Sequence, residues 1–238
     1  MSNFKSILAQ ASGDVYNQSA LRRSIDEYQY MPSISGPRTA VYSGPDKTIV
    51  AHRGLTPDRN DAWNTFGRVM IGRQIGPQRL QNAHNVAHSA IKLGKPLHQT
   101  GHSLGGQVAR KVARDRQEPN TTFNRWAGFV MNPENAKATK ECRQGSQKPH
   151  CHNTLDVYNN QDIATMRINS DYGTKERRIA KHPYSLSSGS LKVHSGKQFE
   201  GGGSGKKTRK KDQDHPQQKL LNLAMRTLNK DRLNRHIN

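Results

Sequence analysis

The sequence predicts an α/β protein whose central, mostly parallel sheet is covered by helices. Short runs rich in β-branched residues alternate with stretches of helical spacing across residues 39–133, in the order strand, helix, strand, helix, strand. That order is typical of parallel strands joined by crossover helices. The length of 238 residues fits one domain of ordinary size with room for a tail, and hydrophobic residues supply only 32% of the chain. We therefore expect one main core, concentrated in these strands and helices.

The first elements predicted along the chain are a helix and a β-hairpin. Residues 19–30 have helical spacing, with Ser19 placed as an N-cap, and Pro32 ends the pattern. Two β-branched runs follow at 39–42 and 47–54, separated by the turn-rich tetrapeptide SGPD. We expect a short helix leading into the domain, followed by a hairpin or two adjacent strands.

Two further helices and two strands are predicted downstream. Residues 77–93 place apolar side chains at helical spacing, and Gly94 is positioned as the C-terminal stop. A strand then leads to a glycine-rich turn, and residues 104–115 have a helical pattern. The apolar run at 125–133 and the segment at 155–166, which ends in acidic and amide residues, complete the series of strands.

The C-terminal part differs in composition from the body of the chain. We divide the chain into a domain at 1–200, a flexible basic linker at 201–215 and an amphipathic basic helix at 216–238. The last 38 residues contain ten Lys or Arg and three Asp, and the whole chain has a formal net charge of +20. This charge favours an anionic partner, so we expect the tail to contact an anionic membrane surface, nucleic acid or a capsid.

The cysteines and the N-terminus indicate a cellular setting. Cys142 and Cys151 are the only cysteines, and the first residues lack the apolar run of a secretory signal or membrane span. We expect an intracellular, reducing compartment. The spacing of His84 and His88, together with the HCH sequence at Cys151, raises the alternative of zinc, but solvated histidines are favoured. No metal and no cofactor are therefore predicted.

The turn TGHSLGGQVA contains a candidate nucleophile, Ser103. A bare G-x-S-x-G arises by chance in about one chain in ten of this length. The residues around the motif therefore decide whether it is a catalytic serine turn. A nucleophile elbow needs a preceding strand, a tight turn with flanking glycines such as Gly101 and Gly105, and a following helix that Gly106 lets approach the sheet. The backbone N–H of Leu104 would then point at a developing oxyanion. The alternative is an ordinary strand-to-helix turn with an inert serine.

Five segments of the chain resemble one family, the class 3 lipases of the α/β-hydrolase fold. Their order and spacing agree across residues 35–170. The segments are the serine elbow HQTGHSLGG, the oxyanion strand IVAHRGL, the Asp-Trp stretch NDAWN, the segment FVMNP and the acid-bearing stretch VYNNQDIATM. The resemblance implies an α/β-hydrolase-like domain, followed here by the basic C-terminal tail.

The same resemblance implies a set of catalytic roles. Ser103 is the nucleophile, Asp162 is the acid that orients the histidine, and the backbone N–H of Leu55 is the second oxyanion donor beside that of Leu104. Leu55 stands where the family more often has Thr or Ser, so a side-chain hydroxyl that could add a hydrogen bond is missing.

The catalytic histidine follows the acid in the family's order. Four histidines come after Asp162, namely His182, His194, His215 and His236. His194 is favoured because it lies far enough past the acid for a loop to return to the sheet edge, and because it precedes the linker. His182 is the second choice.

Two functions are consistent with this sequence. The first is a serine esterase or lipase that hydrolyses carboxylic esters of lipids or phospholipids through an acyl-enzyme. The alternative is a degenerate hydrolase scaffold that acts as a basic nucleic-acid-binding or virion structural protein. A resemblance to the lipase-like proteins of large DNA viruses implies a virion or an infected cell as the setting.

Overall fold

The computed structural model describes residues 4–17, 21–55, 75–126, 137, 140–142, 144–148, 151, 153–159 and 174–179. Within this part of the chain, three α-helices of 11 to 15 residues and eight strands form the main elements of the domain. The helices are α1 (Phe4–Asp14), α2 (Pro77–Ile91) and α3 (Leu104–Arg116). The strands are β1 (Ser24–Ile25), β2 (Tyr28–Tyr30), β3 (Thr39–Ser43), β4 (Thr48–His52), β5 (Leu97–His102), β6 (Asn120–Phe123), β7 (Thr154–Asn159) and β8 (Thr174–Ile179).

The eight strands form one mixed sheet in which spatial order follows chain order. The strands from β1 to β4 pair antiparallel, and those from β4 to β8 pair parallel. In the register, His52 pairs with Gly101, and Gly101 pairs with Thr122. The carboxyl ends of β4, β5 and β6 therefore meet at one edge, where open α/β sheets bind their ligands. This arrangement confirms the predicted α/β-hydrolase-like fold.

The two faces of the sheet carry separate apolar clusters. On β3, Ala40 and Tyr42 contribute to the cluster beneath α1, whereas Val41 contributes to the cluster beneath α2 and α3. The same alternation holds on β4, because successive side chains of a strand point to opposite faces. Helix α2 contributes alanines to its cluster, so it approaches the sheet closely through small side chains. Both faces are thus covered by helices, as predicted.

The hairpin and the two helices after it agree with the sequence prediction. β3 and β4 pair antiparallel across a turn closed by the hydrogen bond from Gly44 N–H to the Lys47 carbonyl, 2.9 Å. Helix α2 ends before Gly94, whose φ of +69° is in the left-handed region that ends helices. Within the described part of the chain, no helix is both long and apolar enough to cross a membrane.

The predicted helix at residues 19–30 is wrong. Helix α1 lies earlier, and residues 24–30 form the antiparallel pair β1 and β2 around Asp26, whose φ is +55°. Ile25 and Tyr28 are buried by the hairpin. Their spacing of three residues fits one face of a helix, but across a two-residue turn it also places two cross-strand partners side by side.

The strands after α3 differ in part from the prediction. β6 lies just before the predicted apolar run at 125–133, and only the first two residues of that run are described. β7 corresponds to the first half of the predicted strand at 155–166, and β8 was not predicted. The proposed linker at 201–215 and helix at 216–238 lie outside the described residues.

Candidate active site

A sharp turn between β5 and α3 places Ser103 at the carboxyl edge of the sheet. β5 ends at His102 and α3 begins at Leu104, so Ser103 alone connects the two elements. Its φ of 56° and ψ of −128° are values that a residue with a Cβ rarely adopts. A nucleophile elbow has such strained geometry, because it holds the serine hydroxyl clear of the backbone. The strand, turn and helix predicted around Ser103 are therefore present.

Glycines permit the close packing around this turn. A Cβ at Gly101 would lie 2.5 Å from the carbonyl carbon of Gly105, and one at Gly106 would lie 3.1 Å from the Gly101 carbonyl oxygen. A Cβ at Gly105 would overlap with the carbonyl oxygen of His52 and lie 2.8 Å from the amide nitrogen of Gly54. The first turn of α3 therefore packs directly against the end of β4.

The segments that carry the two expected oxyanion donors are neighbours in space. Leu104 is the first residue of α3, at the helix end where backbone N–H groups have no intrahelical partner. Leu55 follows Gly54, which lies against Gly105. We call residues 52–55 the oxyanion turn. Its position beside the elbow fits the role expected for the Leu55 amide.

Both backbone polar groups of Ser103 are bonded to the chain around β6. The Ser103 amide donates to the carbonyl of Phe123, 3.1 Å away, and the Ser103 carbonyl accepts from the amide of Trp126, also at 3.1 Å. The Asn124 amide donates to the Val157 carbonyl at 2.9 Å. The backbone position of Ser103 is thus coupled to the carboxyl ends of β6 and β7.

A buried ionic cluster lies beneath this region. Asp156 of β7 has no solvent exposure and accepts hydrogen bonds from Arg110 Nη1 at 2.7 Å and Arg125 Nη2 at 3.0 Å. The Thr122 hydroxyl donates to the other carboxylate oxygen. Because Arg125 immediately precedes Trp126, the cluster fixes the loop that bonds to Ser103.

The electrostatics of this cluster keep Asp156 ionised. Burial alone would raise the pKa of its carboxyl, but the guanidiniums of Arg125 and Arg110 and the hydrogen bonds that they and Thr122 donate lower it to about 2. A carboxylate that is saturated with protein donors cannot also orient a catalytic imidazole. Asp156 therefore holds the scaffold together and is unsuited to the role of triad acid.

The predicted site residues lie partly within the described part of the chain. Ser103, Leu104 and Leu55 belong to two segments that are neighbours in space. Asp162 and His194 lie outside the described residues, as do the alternative base His182 and the other two histidines considered. Their catalytic roles remain predictions.

Sequence reasoning missed two residues that contact the oxyanion turn. Tyr16 reaches it from the end of α1, and Arg79 reaches it from the first turn of α2. A tyrosine near the N-terminus and an arginine on an amphipathic helix carry no local signal for such a role. The sequence contained a weak indication that Asp156 is paired with a buried cation, since an aspartate within an apolar strand needs such a partner.

The two cysteines form a disulfide, Cys142–Cys151, with Cα atoms 5.4 Å apart. Disulfides persist chiefly in oxidising compartments, so this bond does not support the expected reducing compartment. The bond also occupies the sulfur of Cys151 that a zinc site would need. His84 lies on α2, where its Nε2 is 3.4 Å from Asp115 Oδ2.

Comparison with known proteins adds one finding. A family model described as "Phospholipase-like: Tle-like phospholipase domain" matches residues 9–175, which is more than half of the chain. The match includes the oxyanion turn, the serine elbow and the buried cluster around Asp156. It concerns phospholipase-like proteins in general, and the resemblance to class 3 lipases and to viral proteins is no part of it. No curated protein matches the sequence.

Proposed function

The chain belongs to the Tle-like phospholipase domain family, and from this premise we propose that it hydrolyses carboxylic esters of phospholipids by a serine mechanism. The observation that carries the proposal is the strained backbone of Ser103 at the junction of β5 and α3. A backbone conformation of this kind costs about 1–3 kcal/mol for a residue with a Cβ. Retaining it at a serine supports a catalytic function and does not favour the non-catalytic scaffold.

In the proposed reaction, Ser103 Oγ attacks the carbonyl carbon of the ester. His194 accepts the hydroxyl proton, and the carbonyl oxygen becomes an oxyanion that accepts hydrogen bonds from the N–H groups of Leu104 and Leu55. The ester C–O bond then breaks, and His194 returns the proton to the leaving alcohol. Asp162 orients the imidazole and stabilises its protonated form.

Water completes the proposed cycle. His194 takes a proton from a water molecule, whose oxygen attacks the acyl-enzyme, and the same oxyanion donors stabilise the second tetrahedral intermediate. The bond from the acyl carbon to Ser103 Oγ breaks, and the proton returns to Ser103. The products are a carboxylic acid and, from a diacyl phospholipid, a lysophospholipid.

The surface to which the enzyme binds is proposed from charge. A net charge of +20 attracts the protein to anionic lipid, and positive charge is concentrated in the last 38 residues, which contain ten Lys or Arg. Residues 56–66 follow the oxyanion strand, at the place where the class 3 lipases that the sequence resembles carry a lid, and they contain only Trp63 and Phe66 as large apolar side chains. This composition favours a phospholipid surface over the oil phase of a triglyceride.

Release of fatty acid from vesicles tests this proposal. The full chain is incubated with vesicles of equal parts phosphatidylcholine and phosphatidylglycerol, and the acid is quantified over time. We expect Ser103→Ala to lower turnover by at least about 10³-fold, since the nucleophile is lost. The matched control is Ser89→Ala on α2, which should retain wild-type turnover. Equal rates in Ser103→Ala and wild type would refute the proposal.

A further inference from the structure

One hydroxyl group connects the two halves of the site. Tyr16 lies two residues beyond the end of α1, and its Oη accepts a hydrogen bond from the Gly54 amide at 2.9 Å. The same Oη donates to the carbonyl oxygen of His102 at 3.2 Å. Gly54 directly precedes Leu55, and His102 directly precedes Ser103. The phenol therefore bridges the oxyanion turn and the serine elbow.

The fit around this hydroxyl is close. A Cβ at Gly54 would overlap with Tyr16 Oη and would lie 3.0 Å from the carbonyl oxygen of His102. The Tyr16 ring packs edge-on against the His102 ring, with centroids 5.9 Å apart. Burial raises the pKa of Tyr16 to about 12, although the Gly54 hydrogen bond and the charges of Arg79 and Arg53 lower it in part. The phenol thus keeps its proton at neutral pH and can donate and accept at once.

Arg79 holds the other side of the same turn. Its Nη2 donates to the carbonyl oxygen of Arg53 and, at 3.2 Å, to that of Gly54. The Gly54 carbonyl and the Leu55 N–H belong to one planar trans peptide, so they point in opposite directions. Fixing the Gly54 carbonyl on Arg79 therefore fixes the direction of the Leu55 N–H.

Together the two side chains hold both peptide units that flank Gly54. The first unit is bonded through its carbonyl to Arg79 and through its N–H to Tyr16, and the second is bonded through its carbonyl to Arg79. Glycine is the residue whose backbone rotates most freely. Without these bonds, the peptide between Gly54 and Leu55 could rotate and turn the donor away from the substrate.

We propose that Tyr16 and Arg79 are positioning residues that clamp Gly54 and thereby aim the Leu55 N–H at the ester oxyanion. This inference rests on the proposed serine mechanism. Neither side chain is required to touch the substrate. Their contribution is made in the transition state, where charge develops on the oxygen, so it affects kcat and leaves KM nearly unchanged.

The clamp is tested by Tyr16→Phe, which removes only the bridging hydroxyl. Loss of a whole oxyanion donor lowers kcat by about 10²- to 10³-fold, so loss of its positioning should lower kcat by about 10- to 100-fold on a soluble p-nitrophenyl ester, with KM within about twofold. The matched control is Tyr28→Phe on strand β2, which removes a hydroxyl that donates to Asp46 Oδ1, 3.3 Å away. Its kcat should equal that of the wild type.

A second variant and a second measurement complete the test. Arg79→Gln should lower kcat in the same way, and the double variant should lose less than the product of the two single effects, because both residues act on one peptide segment. Amide hydrogen exchange at Gly54, followed by NMR, should be slow in wild type and Tyr28→Phe and at least about tenfold faster in Tyr16→Phe.

The outcomes separate the clamp from the reaction that it serves. The clamp would be overturned if Tyr16→Phe kept the kcat of the wild type, or if the Gly54 amide exchanged rapidly in the wild type. The serine mechanism would still stand in that case, provided that turnover depends on Ser103. Wild-type protein without Ser103-dependent turnover would overturn both. A loss of kcat that is equal in Tyr16→Phe and Tyr28→Phe would mean general destabilisation and would also overturn the clamp.

Discussion

Asp156→Asn removes the negative charge from a buried cluster while conserving the shape of the side chain. Asp156 is fully buried, and its partner Arg125 has no side-chain exposure either. Arg110, the second partner, is 3% exposed. The substitution therefore removes the carboxylate charge that these two buried guanidinium groups share.

The expected loss of stability is large for a single isosteric change. At an effective dielectric constant of about 20, two unit charges about 4 Å apart attract by about 4 kcal/mol. Breaking one partner out of a buried ion pair typically destabilises a protein by about 3–5 kcal/mol. For a domain of this size, each kcal/mol corresponds to about 2–4 °C in Tm, so we expect Asp156→Asn to melt about 6–20 °C below wild type.

Thermal unfolding followed by circular dichroism measures this loss. The matched control is Asp115→Asn on α3, where the carboxylate is 29% exposed and lies 2.8 Å from Lys111. Exposed pairs of this kind contribute at most about 1 kcal/mol, so the control should melt within about 4 °C of wild type. Equal shifts in the two variants would refute the reasoning that burial of the cluster determines its contribution.

The same cluster predicts the direction of a pH dependence. The folded-state pKa of Asp156 is lowered from an ordinary value of 3.8 to about 2. Its ionisation therefore stabilises the fold fully above the unfolded-state pKa, and this stabilisation is lost as the pH falls through 3.8 toward about 2. The difference in Tm between wild type and Asp156→Asn should accordingly narrow between pH 6 and pH 3. A constant difference would contradict the lowered pKa.

Four further variants of the chain have expected outcomes. Gly105→Ala should lower kcat on a soluble ester by at least about 10-fold, because its Cβ would force the elbow and the oxyanion turn apart; unchanged kinetics would argue against their contact. Asp162→Asn should lower kcat by about 10⁴-fold in a folded protein, and His194→Ala should abolish turnover. If His194→Ala retained activity and His182→Ala lost it, the catalytic base would be His182. Truncation after Glu200 should leave soluble-ester turnover unchanged and weaken binding to anionic vesicles at low salt, as measured by co-sedimentation; loss of soluble-ester turnover would place the tail in the active site.

The parts of the fold that sequence alone predicts are those with local signals. The hairpin of β3 and β4 follows from β-branched runs on either side of a turn, and α2 follows from its apolar spacing and from Gly94 as its stop. The elbow combines a local glycine pattern with a strand and a helix on either side. In each case the residues that determine the structure lie within a few positions of one another.

The first helix shows where local reasoning fails. Residues 19–30 and residues 4–14 both offer apolar side chains at helical spacing, and only tertiary packing separates them. The face of α1 that includes Ile7 and Leu8 is buried against the sheet, whereas Ile25 and Tyr28 are buried as cross-strand neighbours. Spacing alone cannot distinguish these two arrangements.

The supporting contacts of the site were beyond prediction for a related reason. Tyr16 is separated from Gly54 by 38 positions, and Arg125 is separated from Asp156 by 31. Each residue is ordinary in its own segment and acquires a role only when the sheet brings distant segments together. The strand, turn and helix around Ser103 could be predicted because the glycines that shape this turn lie beside it in the sequence. The contacts that support the turn could not be predicted, because they form only in the complete fold.

Covalent labelling by a fluorophosphonate tests the proposed nucleophile most directly. The reagent's phosphorus is attacked by an activated serine hydroxyl and fluoride leaves, so the label reports nucleophilicity without assuming the natural substrate. Wild-type protein should gain one label, found by mass spectrometry on the peptide that contains Ser103, and Ser103→Ala should gain none while Ser89→Ala labels as wild type. An unlabelled wild-type protein, or equal labelling of Ser103→Ala, would contradict the assignment of Ser103 as the nucleophile.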